Sequence, residues 1–301
     1  MSSPHCIANP PKLCSSYGAG KVQQLGGLNC YVSGPSHSKL AVLLVSDVFG
    51  YEATNLRKLA DKVGDAGFYV VVPDFFHGDP YVENGAKPIG VWLKDHAADN
   101  VCKDAKIVIE DLKAGGVTKV GIGGVCSGGK AAVDLAKIPC VEATVLLHPA
   151  FVTLDDIQDV KVPISILGAE NDETTPAKVV KQFEIALQAK PEVDSLVKIF
   201  GGVTHGWTVR YDEDDKVAVK AAKEAHQDLL KCPLPTRTIG QHASQSLWHL
   251  DEDLEPTHHG PMISSIQAAM LSLHPWAHRE QEQEQVPQQQ HSLHCKEEGI
   301  D

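Results

Sequence analysis

The sequence is short of positive charge: 27 lysines and arginines stand against 39 aspartates and glutamates, a formal net charge of −12 at pH 7. A nucleic-acid or anionic-membrane partner calls for a basic surface, so neither is expected. No segment approaches the roughly 18 uninterrupted apolar residues of a membrane span. The first residues, MSSPHCIANPPKLCSS, hold no apolar core behind a positive stretch and do not read as a secretory signal. The eight cysteines, at 6, 14, 30, 102, 126, 140, 232 and 295, include no C-x-x-C pair. That argues against a zinc site or a thioredoxin-type motif. A chain of 301 residues is long enough to rely on a core rather than a disulfide framework. Reduced thiols in a cytoplasmic protein are the expectation.

Composition changes near Cys232. Residues 233–301 carry 8 of the 15 histidines, a glutamine/glutamate run, and 3 basic against 10 acidic residues. Apart from MISSIQAAMLSL the segment has no sustained apolar period, and it is expected to be a low-complexity, disordered tail. Its histidines lack fixed ligand spacing and do not define a metal site. The expected folded unit is 18–232, preceded by a flexible N-terminus over 1–17.

Within that unit, apolar runs of strand length recur: 40–47, 68–76, 118–124, 143–149, 162–172 and 195–202. They are nearly continuous Val/Ile/Leu, as expected of strands buried on both faces of a sheet. Amphipathic helix patterns lie between and after them, at 54–67, 99–116, 130–138, 176–190 and 212–232. The alternation predicts a doubly wound, mostly parallel α/β sheet with helices on both faces. A pair of short strands around Val22–Leu25 and Leu28–Val32, with a Gly-Gly turn, adds an antiparallel edge. Ligands bind such sheets at the carboxyl ends of the strands, which directs attention to Asp47, Asp74, Cys126, His148, Asp172 and His205.

The stretch GGVCSGG, Gly123–Gly129, places a cysteine among glycines where a strand turns into a helix. Its continuation fits G-x-x-x-x-G-K, but a phosphate loop needs Ser or Thr where Ala131 stands, and no acidic partner is evident. A buried structural thiol, the reading given to Cys102 and Cys140, does not explain glycine at both Gly124 and Gly128. A nucleophile elbow does: the side chain sits on a strained turn that demands small residues two positions to either side. The helix that starts there favours a thiolate, and the Ser127 N–H is placed to serve an oxyanion hole.

The elbow requires an acid and then a histidine at later strand ends. Asp172 follows Cys126 by 46 residues and His205 follows Asp172 by 33. Asp172 could instead cap the next helix, with Glu170 or Glu173 as the acid. His148 also ends a strand but precedes any acid in that order. His77 either lines the pocket or is exposed.

DVFG (47–50), PDFF (73–76), GVCSGG, GAENDETTP and GVTHGW together resemble the dienelactone hydrolases (carboxymethylenebutenolidases), over most of 20–232. The likeness is strongest to plant members, some bearing an endo-1,3;1,4-β-glucanase name. The resemblance implies an α/β-hydrolase fold, a catalytic triad of Cys126, Asp172 and His205, and Val48 as a second oxyanion donor. It puts Asp47 where the family has a glutamate that modulates the thiol. Of two arginines that hold the substrate carboxylate in bacterial members, one position carries His77 and Gly78 here, and the other is only approximately matched by Arg210. The tail after Cys232 has no counterpart.

The expectation is therefore a cysteine-dependent hydrolase of small esters or lactones, a monomer or weak dimer without metal or cofactor. Two rivals remain. A glycan-directed enzyme or binder would use acidic and aromatic residues such as Trp92 and Trp207, although acetal cleavage needs two flanking carboxylates rather than a thiol. A non-catalytic receptor of this fold would bind a small molecule without turnover.

Overall fold

The computed structural model describes residues 6–231; the tail expected over 233–301 lies outside them. One eight-stranded sheet organises these residues, in the order β1-β2-β4-β3-β5-β6-β7-β8. Its strands are β1 (Lys21–Leu25), β2 (Leu28–Ser33), β3 (Leu40–Val45), β4 (Tyr69–Pro73), β5 (Lys119–Val125), β6 (Ala143–Leu147), β7 (Ile164–Asn171) and β8 (Ser195–Thr204). The hairpin β1–β2 and the pair β2–β4 are antiparallel; the pairings from β4 through β8 are parallel. Gly26 and Gly27 form the hairpin turn with φ of 57° and 81°, the mirror-image geometry that tight hairpins need.

Burial follows position in the sheet. Every residue of β4 and β6 is buried, whereas the edge strands β1 and β8 are largely open on their outer sides. Alternate side chains feed two cores. Leu43, Val45 and Val71 join the core under α3 (Ala98–Ala114), α4 (Gly128–Leu135) and α6 (Ala177–Gln188). Val42, Leu44, Val70 and Val72 join the opposite core under α1 (Thr54–Asp65) and α7 (Lys216–Lys231). Each fully buried Leu or Ile in these layers stabilises the fold by about 1.5–3 kcal/mol relative to exposure. Helices therefore cover both faces of the sheet.

Two helices had no counterpart in the sequence pattern. Between β4 and α3 lies α2 (Ile89–Asp95), and α5 (Leu154–Gln158) follows β6. Thr153 caps α5 with a reciprocal bond pair to Asp156, a signature too short to show as periodicity. The acidic run Asp212–Asp215 precedes α7 rather than starting it, and Asp215 Oδ1 accepts from the Val217 and Ala218 N–H groups. Among the described residues no helix is long and apolar enough to cross a membrane.

Candidate active site

Cys126 follows β5 directly, with φ of +51° and no exposed surface. Its strained turn is enforced by close packing. A Cβ on Gly124 would stand 2.4 Å from Gly128 O and 2.7 Å from Ala132 Cβ. One on Gly128 would stand 2.5 Å from Val45 O and 2.6 Å from Ser46 O. Only glycine lets α4 pack this tightly against β5 and β3, so the turn is fixed by backbone contact rather than by any side chain. The Cys126 N–H donates to Leu147 O and its carbonyl accepts from Ala150 N, tying the elbow to β6 (3.1 and 2.8 Å). Lys130, the lysine of the G-x-x-x-x-G-K match, pairs with Asp134 and Asp156 at 2.7 and 2.9 Å.

The strand ends bring three predicted residues together. His205 Nε2 lies 3.0 Å from Cys126 Sγ, and His205 Nδ1 lies 2.7 Å from Asp172 Oδ2. The other carboxylate oxygen, Oδ1, accepts from the N–H groups of Thr174 and Thr175 at 2.7 and 3.0 Å. A carboxylate only accepts, so Nδ1 carries the proton and Nε2 faces the sulfur. Glu170 and Glu173, the alternative acids, are exposed, and Glu170 Oε2 instead accepts from Gly202 N. His148 is buried beside His205, ring centroids 5.0 Å apart, with its Nδ1 3.2 Å from Thr208 Oγ1.

Around this line sit Asp47 and Arg210, both buried. Arg210 Nε is 3.5 Å from Asp47 Oδ2, and Asp47 Oδ1 accepts from the Phe49 N–H at 3.1 Å. A Cβ on Gly206, which has φ of +93°, would meet Arg210 Nε at 2.4 Å, so the glycine after His205 makes room for the guanidinium. Trp207 is a core residue packed against Phe200, ring centroids 4.4 Å apart and planes tilted by 43°. His77 is at the surface, paired with Asp104 at 2.9 Å. Neither the Ser127 nor the Val48 N–H donates to another backbone group among the described residues.

A residue outside the predicted set completes the cluster. Cys6, on the segment that crosses the carboxyl edge of the sheet, is 1% exposed, and its sulfur, Cys126 Sγ and a His205 ring nitrogen lie within 4.8 Å of one another. These three donors are also the types that a soft metal ion takes. No local motif marks Cys6, because its neighbours in space, such as Thr174, lie 168 residues away in sequence.

The electrostatics follow from burial and these contacts. Burial raises the Cys126 thiol well above its ordinary pKa, and Cys6 raises it further, while Arg210 opposes both. A hydrogen bond with Cys126 lowers Cys6 to about 5, against burial and with help from His205. Burial disfavours the His205 imidazolium, but Asp172 and Cys6 outweigh it and lift its pKa above the usual value. Burial also raises Asp47, more than Arg210 lowers it.

A cavity of about 290 Å³ opens beside the elbow, lined among others by Phe76, Trp92, Leu93, Val101, Ser127 and Phe151. Cys126 and His205 do not line it. Among the described residues Cys6, Cys30, Cys102, Cys126 and Cys140 are free; Cys14 departs from the expected reduced thiols and is disulfide-bonded.

A mostly parallel sheet with helices on both faces and a strained cysteine elbow at the end of β5 defines an α/β-hydrolase. The particular family is shown by sequence: residues 28–232 match the model of the dienelactone hydrolase family, and the chain belongs to it. A carboxymethylenebutenolidase homologue of Homo sapiens is 32% identical over 220 residues, covering 71% of this chain and 90% of that protein. An endo-1,3;1,4-beta-D-glucanase of Zea mays is 47% identical over 195 residues, 62% of this chain and 63% of its own length. The match thus spans less than two thirds of the maize protein. Among solved structures, a dienelactone hydrolase-like promiscuous phosphotriesterase from metagenomic libraries shares the fold at TM-score 0.55 and 16% identity, covering 71% of this chain and 99% of that one.

Proposed function

We propose that the protein hydrolyses small carboxylic esters or lactones through an acyl-enzyme on Cys126. The observation that carries this reading is the continuous line Cys126 Sγ–His205–Asp172 at 3.0 and 2.7 Å, starting from a strained elbow. His205 Nε2 takes the thiol proton, and the sulfur attacks the substrate carbonyl. The N–H groups of Ser127 and Val48 hold the developing oxyanion. As the tetrahedral intermediate collapses, His205 gives its proton to the leaving alkoxide, leaving a thioester. His205 then deprotonates a water that attacks the thioester, and the carboxylic acid departs as the thiol reforms. Asp172 keeps the imidazole in the Nδ1–H tautomer throughout. The sequence of steps needs no metal or cofactor, and one chain supplies every group, which suits a monomer or weak dimer acting on a small molecule.

The name of the maize relative raises β-glucan cleavage as a second reading. Acetal hydrolysis needs two carboxylates flanking the bond. Here Asp172 is bound to His205 and two backbone N–H groups, and Asp47 is buried against Arg210. Neither is free to serve as the acid or base of glycoside cleavage, so the ester and lactone reading is favoured. The test is turnover of p-nitrophenyl acetate, a few enol lactones and a mixed-linkage β-glucan by wild type, Cys126→Ala and His205→Ala. Ester or lactone turnover lost in both variants supports the proposal. Turnover retained in Cys126→Ala, or glucan cleavage indifferent to that substitution, rejects it.

A further inference from the structure

Hydrolysis as proposed uses one thiol, yet the site holds two. Cys6 is fixed at the site by its own backbone as well as its side chain. Arg210 Nη1 donates to both Cys6 O and Ala8 O at 2.9 Å, and Cys6 Sγ lies 3.6 Å from Thr174 Oγ1. Further along the same segment, Thr54 N donates to Lys12 O and Cys14 N to Glu52 O, both at 3.0 Å, and Arg57 Nη1 donates to Ser15 O at 2.7 Å. The segment is thus strapped over the carboxyl edge of the sheet, and Cys6, Cys126 and His205 are all 4% exposed or less.

We propose that Cys6 is the resolving thiol of Cys126: a peroxide converts the pair to a Cys6–Cys126 disulfide, which closes the site reversibly and protects its sulfur from further oxidation. The inference concerns regulation of the site proposed above and rests on that reading only for its activity readout. The two sulfurs, within 4.8 Å of each other, are close enough that side-chain rotation and a small strap shift bring them to bonding distance, about 2 Å. In the first step Cys126 Sγ, its proton taken up by His205 Nε2, attacks the peroxide O–O bond; an S–O bond forms, the departing oxygen takes that proton and leaves as water, and Cys126 becomes a sulfenic acid. In the second, the remaining thiol loses its proton and attacks the sulfenic sulfur, forming S–S as S–O breaks and the oxygen leaves as water. Two thiols give up two electrons and one peroxide becomes two waters. In each step His205 takes the proton of the attacking thiol and passes it to the departing oxygen. A dithiol reductant reverses the change.

The test uses the full chain, reduced, treated with a chelator, exposed to hydrogen peroxide, alkylated with iodoacetamide and mapped by peptide mass. Wild type is expected to yield a peptide pair joined through Cys6 and Cys126. Its p-nitrophenyl acetate hydrolysis should fall with peroxide and return with dithiothreitol. Cys6→Ser and Cys6→Ala should give no such pair and progress to sulfinic acid at Cys126. Their recoverable activity should be about tenfold below that of wild type. Wild type that forms sulfinic acid directly, or links Cys126 to a different cysteine, overturns the proposal. So does Cys6→Ser recovering as fully as wild type. The peptide map decides even if no ester is turned over, so failure of the hydrolase reading and failure of this one are told apart.

Discussion

The elbow beneath Cys126 and the strap above it are built on different principles. Beneath, position is set by steric contact: Gly124 and Gly128 allow backbones to touch, and any larger residue collides with carbonyls of β3 or α4. Above, position is set by hydrogen bonds to the strap's main chain, from Arg210 to Cys6 O and Ala8 O, from Arg57 to Ser15 O and Tyr17 O, and through the backbone pairs Thr54 N–Lys12 O and Cys14 N–Glu52 O. Contact packing of this kind tolerates no intermediate state, whereas hydrogen bonds to carbonyls can be exchanged for water when the strap lifts. A rigid floor and a releasable cover suit a site whose nucleophile is buried yet must meet a substrate.

The largest effect expected from breaking this contrast is on the floor. Gly128→Ala should destabilise the protein by at least about 3 kcal/mol in chemical denaturation, because its Cβ meets two main-chain carbonyls that cannot move independently. A smaller loss would show that the elbow can relax. Next comes Arg210→Met, which removes the strap's anchor and leaves Asp47 buried without its partner. It should cost about 3 kcal/mol, and amides of residues 6–13 should exchange hydrogen faster than those of β5. Uniform exchange across both regions would mean that the strap is not independently releasable.

A further effect depends on pH and involves His226, behind the strand edge. Its Nε2 lies 2.9 Å from Thr208 O and its Nδ1 3.0 Å from Lys62 Nζ, so the ring is neutral with both nitrogens used. Burial, then the Lys62 charge, depress its pKa from 6.5 to about 4. Because the unfolded chain binds this proton first, stability is complete above pH 6.5 and falls as the pH drops towards 4. The loss is on the order of 3 kcal/mol. His226→Gln should flatten that limb of the stability–pH curve; an unchanged limb would assign it to other groups. The smallest effect is expected at Gly90 in α2, where an added Cβ meets nothing within 4 Å. Gly90→Ala should be neutral or stabilise by up to about 1 kcal/mol in the same measurement, setting the scale for Gly128→Ala.

The same contrast explains what the sequence made legible. Strands β3 to β7 were readable because parallel strands buried on both faces are continuous apolar runs, and β8 by its apolar run although it lies at the open edge; Cys126, Asp172 and His205 were readable because each stands at the end of one of these strands. Gly124 and Gly128 announced the elbow since their constraint is local. The strap was not readable: its bonds to Arg210 link residues 204 and 202 apart, and Cys6 looked like any scattered cysteine. Arg210, only approximately matched from the family pattern, proves to join Asp47 to the strap. Trp207 and His77 show the reverse. Both stood beside plausible motif residues, but one turned into the core and the other onto the surface, choices made by packing that no spacing encodes.

The central claim is that Cys126 forms an acyl-enzyme, and rapid acid quenching of a reaction with p-nitrophenyl acetate followed by peptide mass mapping tests it directly. One acetyl group is expected on the peptide carrying Cys126, absent in Cys126→Ala and strongly reduced in His205→Ala. Acetyl on Cys6 or another residue, or steady hydrolysis by Cys126→Ala, would contradict it.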